Sequence, residues 1–77
     1  MKPKKFNNAN DQKINDVLCK VWEAMEYEGY VPQNQLMYYL LSDDPIHITT
    51  YNNARKLITE LDRDDIFKHI VEYYFNN

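Results

Sequence analysis

Apolar residues recur at helical spacing along most of this chain, and this spacing limits the possible folds more than any other sequence feature. In the clearest segment they lie three or four positions apart and share one face of a helix. They are Ile14, Val17, Leu18, Val21, Trp22 and Met25. No segment sustains the alternation of apolar and polar residues that marks a half-buried strand. The sequence therefore predicts an all-α fold, a compact bundle of four to five short helices.

Residues that favour helix starts and stops predict where these helices begin and end. Asp11 is a good N-cap for the first helix, and Gly29 is its natural stop because glycine accepts a left-handed backbone. The other predicted boundaries are Pro32 to Ser42 for the second helix, Tyr51 to Leu61 for the third, and Asp62 as the cap of the fourth. Between the second and third helices, Ile48 is predicted to anchor the chain ahead of a cap by Thr49 or Thr50.

The length of 77 residues allows one domain, with residues 1–10 as a flexible tail and residues 11–77 as the helical domain. The tail carries three lysines and no acidic residue, so a net charge of −3 for the chain leaves −6 for the rest. A solvated terminus with Phe6 as an anchor is the favoured interpretation. The opposite charges leave open that the tail lies on the acidic body.

Composition argues against several functional classes. The one cysteine, Cys19, cannot form an internal disulfide, and with two histidines the chain has too few ligands for a typical structural zinc site. A single glycine excludes Gly-rich phosphate loops. Neither a membrane-spanning run nor a signal-peptide core is present, so we expect a cytoplasmic protein. The paired aspartates are interpreted as loop and cap residues, and no histidine has a nucleophile at a recognisable spacing. We therefore expect no enzyme activity, metal or cofactor.

The last segment has more apolar surface than one small core can cover. Its apolar residues span about 200° of a helical wheel, where one core face usually needs little more than about 100°. Asp65, Lys68, His69 and Glu72 form the remaining polar stripe. We infer that a second copy of the chain covers part of this helix, as a homodimer is the simplest source. The interface candidates are Ile66, Phe67, Ile70, Val71 and Tyr74.

Protein binding is favoured over nucleic-acid binding. A third helix could serve as a DNA-reading helix with Asn52, Asn53, Arg55 and Lys56. The body is acidic, however, and lacks the clustered cations that phosphate contacts need. Seven tyrosines and the surplus apolar surface are instead typical of protein interfaces. The only arginines, Arg55 and Arg63, with Asn53, are candidates for binding a partner or a phosphate. The arginines could equally bridge to surface acids.

Residues 29–66 resemble the IreB family of small regulatory phosphoproteins, which includes ReoM, from low-GC Gram-positive bacteria. The resemblance rests on Gly29-Tyr30, Pro32, Asn34-Gln35, Tyr39-Leu40-Leu41-Ser42, Asp44-Pro45, Ile48, Asn53-Ala54-Arg55, Ile58, Arg63-Asp64 and Ile66. It extends more loosely over the first helix and over Tyr73-Tyr74. The order of these motifs is fairly specific, because chance helical sequences would rarely give it.

The resemblance implies a non-enzymatic cytosolic regulator that forms a compact all-helical homodimer. Its implied partners are a Ser/Thr kinase that senses the cell wall through PASTA domains, the Clp protease and a peptidoglycan-precursor enzyme. Members of the family promote Clp-dependent breakdown of that enzyme, and phosphorylation relieves this action. The alternatives are a generic helical dimerisation module with no role in proteolysis and, third, a DNA-binding regulator.

Three departures from the family pattern affect these expectations. The family's phosphoacceptor is a threonine in the N-terminal tail, whereas residues 1–10 contain neither serine nor threonine. The family usually has glycine where this chain has Tyr38 and Asp43, and arginine where Thr59 stands. Thr49 and Thr50 are the substitute phosphorylation candidates, because a phosphate near a helix start is favoured by the helix dipole.

Overall fold

The computed structural model describes residues 9–76, and this part of the chain is all-α as predicted, with no strand. Its four helices are α1 (Ala9–Tyr27), α2 (Pro32–Ser42), α3 (Ala54–Thr59) and α4 (Arg63–Phe75). Two 3₁₀ turns, Pro45–His47 and Tyr51–Asn53, lie between α2 and α3. The predicted tail up to residue 8, with its Phe6 anchor, lies outside the described residues.

The start of α1 differs from the prediction. The helix begins at Ala9, so Asp11 lies in its first turn and does not cap it. An acidic residue in the first turn still complements the positive end of the helix dipole. The periodic apolar residues that predicted this helix begin only at Ile14, which is why the pattern did not mark its true start.

The turn between α1 and α2 forms as the sequence predicted. Gly29 has φ of 84°, and the N–H of Tyr30 donates to the carbonyl of Met25 at 2.9 Å. This bond satisfies a carbonyl that the end of the helix would otherwise leave without a partner. Pro32 then occupies the start of α2, where its missing N–H costs nothing.

The end of α2 is held by a non-glycine residue in a left-handed conformation. Asp43 has φ of 57°, and its N–H donates to the carbonyl of Tyr39 at 2.8 Å. Asp44 caps the following 3₁₀ turn, since its Oδ1 accepts the N–H of Ile46 at 3.0 Å. Ser42 Oγ donates to the carbonyl of Tyr38 at 2.6 Å. These contacts confirm the interpretation of both aspartates and Ser42 as loop and helix-end residues.

Two substitutions at Asp43 isolate the cost of this backbone conformation. Asp43→Gly and Asp43→Ala both remove the carboxylate, which lies 3.7 Å from Arg63 Nε. Only glycine adopts φ of 57° without strain, so we expect the glycine variant to be more stable than the alanine variant by about 1 kcal/mol. Urea unfolding of the two variants measures the difference. Equal stabilities would mean that the backbone leaves the left-handed region when the side chain changes.

The predicted third helix is shorter than expected and starts later. Residues 51–53 form a 3₁₀ turn, in which Asn52 and Asn53 have φ of 53° and 63°. Asparagine tolerates this left-handed region better than most residues do, but a continuous helix cannot pass through it. The helix α3 therefore spans only Ala54–Thr59, and the two asparagines lie before it. A long DNA-reading helix is accordingly not formed here.

The core lies where α1, α2, α3 and the start of α4 meet the loop after α2. Its residues are Val17, Val21, Ala24, Met25, Tyr39, Ile48, Ala54, Ile58 and Ile66. Ile48 is completely buried, which confirms its predicted role as an anchor. Asp62 caps α4 as predicted, since its Oδ1 accepts the N–H of Asp64 at 2.9 Å. Within residues 9–76, no helix combines the length and apolar character needed to cross a membrane.

Candidate protein-binding surface

The helix α4 buries one narrow side and exposes a broad apolar one. Ile66 and His69 are buried, and Tyr73 is half-buried. On the adjoining side of α4, exposed apolar residues recur three or four positions apart. We call these residues the α4 face. The α4 face consists of Phe67, Ile70, Val71 and Tyr74.

Two sequence-based predictions about α4 need correction. Ile66 was a dimer-interface candidate, but it is completely buried in the chain's own core and offers no surface to a second chain. The sequence predicts His69 on the polar stripe, but this residue is only 7 % exposed. The helical wheel gave the total apolar arc correctly but could not show which part of the arc α1 covers. The structure turns α4 so that the His69 side packs inward.

An apolar groove between α1, α2 and α4 adjoins the α4 face. The groove has a volume of about 360 Å³, and we call it the apolar groove. Its lining residues are Leu18, Cys19, Trp22, Glu23, Leu36, Leu40 and Ile70. Ile70 belongs to both features, so the α4 face and the apolar groove form one continuous apolar surface. Large exposed apolar patches on a small protein mark interaction sites.

The contribution of α1 and α2 to this surface was not identified as functional from the sequence. The helical spacing places Trp22 on the apolar face of α1, but the side chain is exposed enough to form a rim of the apolar groove. Leu18 and Trp22 are one helical turn apart on the flank of the α1 stripe. The α2 sequence, apolar nearly all round, was a further signal, since such a helix must be covered on more than one side.

Arg63, a predicted partner-binding residue, links the end of α2 to the start of α4. Its guanidinium donates to the carbonyl of Leu40 at 2.9 Å, and its Nε lies 3.7 Å from Asp43 Oδ1. Leu40 is in the last turn of α2, where carbonyls have no partner within the helix. Arg63 therefore bridges to a surface acid, which the sequence analysis gave as one of two alternatives for the arginines. It also caps the end of α2. Its side chain remains one-third exposed.

We expect Arg63→Ala to lower the free energy of unfolding by about 1 kcal/mol. The variant removes a charged donor from the Leu40 carbonyl, and partial solvent exposure reduces the cost below that of a fully buried contact. Urea denaturation checks this value. Lys56→Ala on the exposed side of α3 is the control, with an expected change within about 0.5 kcal/mol. An Arg63→Ala variant as stable as the control would contradict the helix-linking role.

Arg55, the second predicted arginine, also contacts the backbone of a loop. Its Nε donates to the carbonyl of Ile48 at 2.9 Å, which ties α3 to the segment that carries the core anchor. Arg55 also lines a shallow cavity on the α3 side, which we call the α3 pocket. The α3 pocket is lined by Pro45, Thr50, Asn53, Arg55, Lys56 and Thr59. The structure therefore brings Asn53 and Arg55 together and leaves Arg63 apart from them, at the α2–α4 junction.

The two phosphorylation candidates differ in accessibility. Thr49 is half-buried, and its Oγ1 accepts the N–H of Tyr51 at 3.2 Å. Thr50 is exposed and shares the α3 pocket with Arg55 and Lys56. Of the two, Thr50 is therefore the more exposed residue.

Tyr39 and His69 are buried titratable residues, and each lies near charged side chains of its own chain. Burial raises the pKa of the Tyr39 phenol above its ordinary value, the Asp43 carboxylate raises it further, and Arg63 opposes both effects. The phenol therefore remains protonated at neutral pH. His69 Nδ1 lies 3.7 Å from Asp11 Oδ1, which forms an ion pair when the imidazole is protonated. Among residues 9–76, no group of three His, Cys, Asp or Glu side chains is placed to hold a metal ion.

Comparison with known proteins gives matches over nearly the whole chain. A UPF0297 protein from Ruminiclostridium cellulolyticum is 36 % identical over 73 residues, which covers 95 % of this chain and 83 % of the relative. The family model described as IreB regulatory phosphoprotein matches residues 2–76. Together with the short-helix fold and the motifs from Gly29 to Ile66, these matches show that the chain belongs to the IreB family of regulatory phosphoproteins.

Proposed function

We propose that this chain is a non-catalytic regulator that acts in the cytoplasm by binding other proteins, including a second copy of itself. The observation that carries the proposal is the continuous apolar surface formed by the α4 face and the apolar groove. The core of the chain does not cover this surface. The aromatic and aliphatic side chains of the surface are of the types that dominate protein interfaces. Membership of a family of regulatory phosphoproteins agrees with a binding role.

The proposed homodimer uses the α4 face. Phe67, Ile70, Val71 and Tyr74 each expose two-fifths or more of their surface. Packing two such helices against each other at a two-fold axis would bury the same residues on both chains. The aromatic side chains would supply most of the buried apolar area. The dimer would then leave the α3 pocket, on another helix, available to further partners.

The proposed site for a different partner is the α3 pocket. Arg55 and Lys56 provide positive charge, and Asn53 and Thr50 provide polar groups beside them. This is the type of surface that a carboxylate or phosphate group of a partner binds. Following the family resemblance, the partners are the Clp protease and the enzyme of peptidoglycan-precursor synthesis, whose breakdown this chain would promote.

The proposed phosphorylation site is Thr50. A PASTA-type Ser/Thr kinase would add a phosphate beside Arg55 and Lys56, where it would neutralise the positive charge of the α3 pocket. Loss of that charge would weaken binding to an acidic partner. Intact-mass analysis after kinase treatment tests this assignment, with Thr50→Val expected to lose the added phosphate and Thr49→Val to keep it. A phosphate elsewhere, or none, would contradict it.

The half-life of the purified peptidoglycan-precursor enzyme with the Clp protease, measured with and without this protein, tests the proposed function. We expect faster breakdown when the protein is added. Arg55→Ala should lose this effect, and Lys20→Ala on the exposed side of α1 is the matched control. No acceleration by the folded wild-type protein would contradict the role in proteolysis. The generic dimerisation module would then become the leading function.

A further inference from the structure

We propose that residues 51–53 have two conformations, and that an aromatic contact between Tyr27 and Tyr51 selects the one observed. In the structure these residues form a 3₁₀ turn. In the second conformation they would join α3 and lengthen that helix at its start. The contact between the two rings, which we call the tyrosine stack, would be lost in that second conformation. The change takes place within one chain, so it does not depend on the proposed function.

The tyrosine stack joins the last residue of α1 to the first residue of the turn. The ring centroids of Tyr27 and Tyr51 lie 4.5 Å apart, and the ring planes make an angle of 9°. Stacked rings stabilise a structure beyond the apolar area that they bury. The end of α1 is itself fixed, since the N–H of Gly29 donates to the carbonyl of Glu26 at 3.0 Å. The tyrosine stack therefore ties the turn to a well-anchored element.

The turn contains two consecutive residues with a left-handed backbone. Asn52 and Asn53 have φ of 53° and 63°. Asparagine tolerates this region, but residues in it normally occur singly. Both residues are exposed, so burial of their side chains does not hold the backbone there. A strained backbone of this kind persists only where neighbouring contacts enforce it, and the tyrosine stack is such a contact.

The backbone hydrogen bonds of the turn could be replaced in a longer helix. The N–H of Asn53 donates to the Thr50 carbonyl at 3.3 Å, and in a longer helix it would donate to the capping Thr50 hydroxyl. The N–H of Arg55 donates to the Thr49 carbonyl at 3.0 Å. In a helix beginning at Tyr51, this N–H would donate to the Tyr51 carbonyl, four residues back. Because both donors have a partner in either conformation, the tyrosine stack is the contact that distinguishes the two.

The local sequence favours the longer helix. The apolar spacing and a threonine cap predict a helix from Tyr51 to Leu61, whereas α3 begins only at Ala54. Local preference and tertiary structure therefore disagree at residues 51–53. Such disagreement is expected at strained or functional positions. Loss of the tertiary contact would let the local preference decide the conformation.

The two conformations would present different α3 pockets. In the observed one, Asn53 lines the α3 pocket together with Arg55. Residues two positions apart on a helix do not face each other, so the longer helix would separate these two side chains. The tyrosine stack would thus control the pocket without lining it. This consequence rests on the proposed function, in which the α3 pocket binds a partner, whereas the change of conformation does not.

Nuclear Overhauser effects in the full chain, compared between the wild type and Tyr27→Ala, test the proposal. A left-handed residue gives a strong effect between its own N–H and Hα, and we expect this at Asn52 and Asn53 in the wild type. Tyr27→Ala should lose it and gain an effect from the Hα of Asn52 to the N–H of Arg55, which marks a helix. Tyr27→Phe retains a ring for the stack and should keep the wild-type pattern.

Tyr30→Ala is the matched control for loss of an exposed tyrosine. Tyr30 lies three residues after Tyr27, is half-exposed and is outside the tyrosine stack, so its replacement should leave the pattern unchanged. Adding Asn52→Gly to Tyr27→Ala should restore the turn, because glycine adopts a left-handed backbone freely and disfavours a helix interior. Circular dichroism checks that each variant is folded, which we expect because Tyr27 is largely exposed.

A second variant tests the same equilibrium with the tyrosine stack residues intact. Asn52→Ala replaces a residue that tolerates the left-handed region with one that resists it and favours helix. We therefore expect the helical effect between residue 52 and Arg55 to appear in this variant also. Its absence from both Asn52→Ala and Tyr27→Ala would mean that no helical second conformation exists.

Two further results would overturn the proposal. One is a folded Tyr27→Ala variant that keeps the left-handed pattern at both asparagines, since the tyrosine stack would then not select the turn. The other is a Tyr27→Phe variant that behaves as Tyr27→Ala does, since the ring contact would then not be the cause. All these measurements use the chain alone, whereas the proteolysis assay needs the partner proteins. Failure of the proposed function and failure of this inference are therefore distinguishable.

Discussion

Replacement of Ile48 by alanine is expected to lower the free energy of unfolding by about 3 kcal/mol, the largest stability effect that we predict for a single residue. The side chain is 0 % exposed and belongs to the core cluster, although it comes from the loop between α2 and α3. Truncation would remove buried apolar surface and leave a cavity that the surrounding helices fill only in part. Arg55 holds the Ile48 carbonyl from α3, so the backbone is not free to collapse into the space.

Ile46→Ala is the matched control for this prediction. Ile46 is two positions away in the same loop and is 70 % exposed, so the same chemical change should cost less than about 0.5 kcal/mol. Urea unfolding followed by circular dichroism measures both variants. Because small domains are only marginally stable, Ile48→Ala should unfold at a clearly lower urea concentration than the wild-type chain. Equal effects of the two substitutions would show that the loop does not anchor the core.

The second large effect is expected on assembly. Val71→Asp should convert the proposed homodimer into a monomer of 9.3 kDa, because it places a charge at the centre of the α4 face. Burying an unpaired carboxylate in an apolar interface costs several kcal/mol, which exceeds what one contact in a small interface can offset. Light scattering at micromolar concentration measures the mass. The substitution site is 53 % exposed in the single chain, so the monomer itself should remain folded.

Val31→Asp provides the control for the assembly experiment. Val31 is 51 % exposed, nearly the same as Val71, but it lies at the N-cap of α2, away from the α4 face. An aspartate there should leave the mass unchanged and add a cap that the valine cannot provide. A wild-type protein that already has the monomer mass would contradict the proposed dimer. A Val71→Asp variant that stays dimeric would place the interface on another surface.

Local sequence signals predicted much of the fold. The helical spacing of the apolar residues gave the all-α class, and Gly29, Pro32 and Asp62 gave boundaries that the structure confirms. These signals act over a few residues, through backbone preferences and short side-chain contacts, so they can be read without knowing the rest of the structure. The predicted bounds of the third helix were wrong. Its apolar spacing did not show that Asn52 and Asn53 adopt a left-handed backbone.

Other features depend on packing between distant parts of the chain. The burial of Ile66 and His69, and the exposure of Trp22, follow from how α4 is rotated against α1. Nothing in the α4 sequence sets this rotation, since its apolar arc is wide enough to allow several. The contact of Arg63 with the Leu40 carbonyl likewise joins residues 23 positions apart. The arginines could be recognised as candidates from the sequence, but not their contacts.

The sequence by itself therefore determined the helices, most of their ends and the surplus of apolar surface, because helix propensity, capping and amphipathic spacing are local properties. The family relationship was also recognisable in the order of its motifs. Only the tertiary structure decided where the surplus apolar surface lies. It lies on the α4 face and in the apolar groove, whereas Ile66 is buried in the core. The physical reason is that each helix offers more apolar side chains than its neighbours can cover, and packing selects which of them remain at the surface.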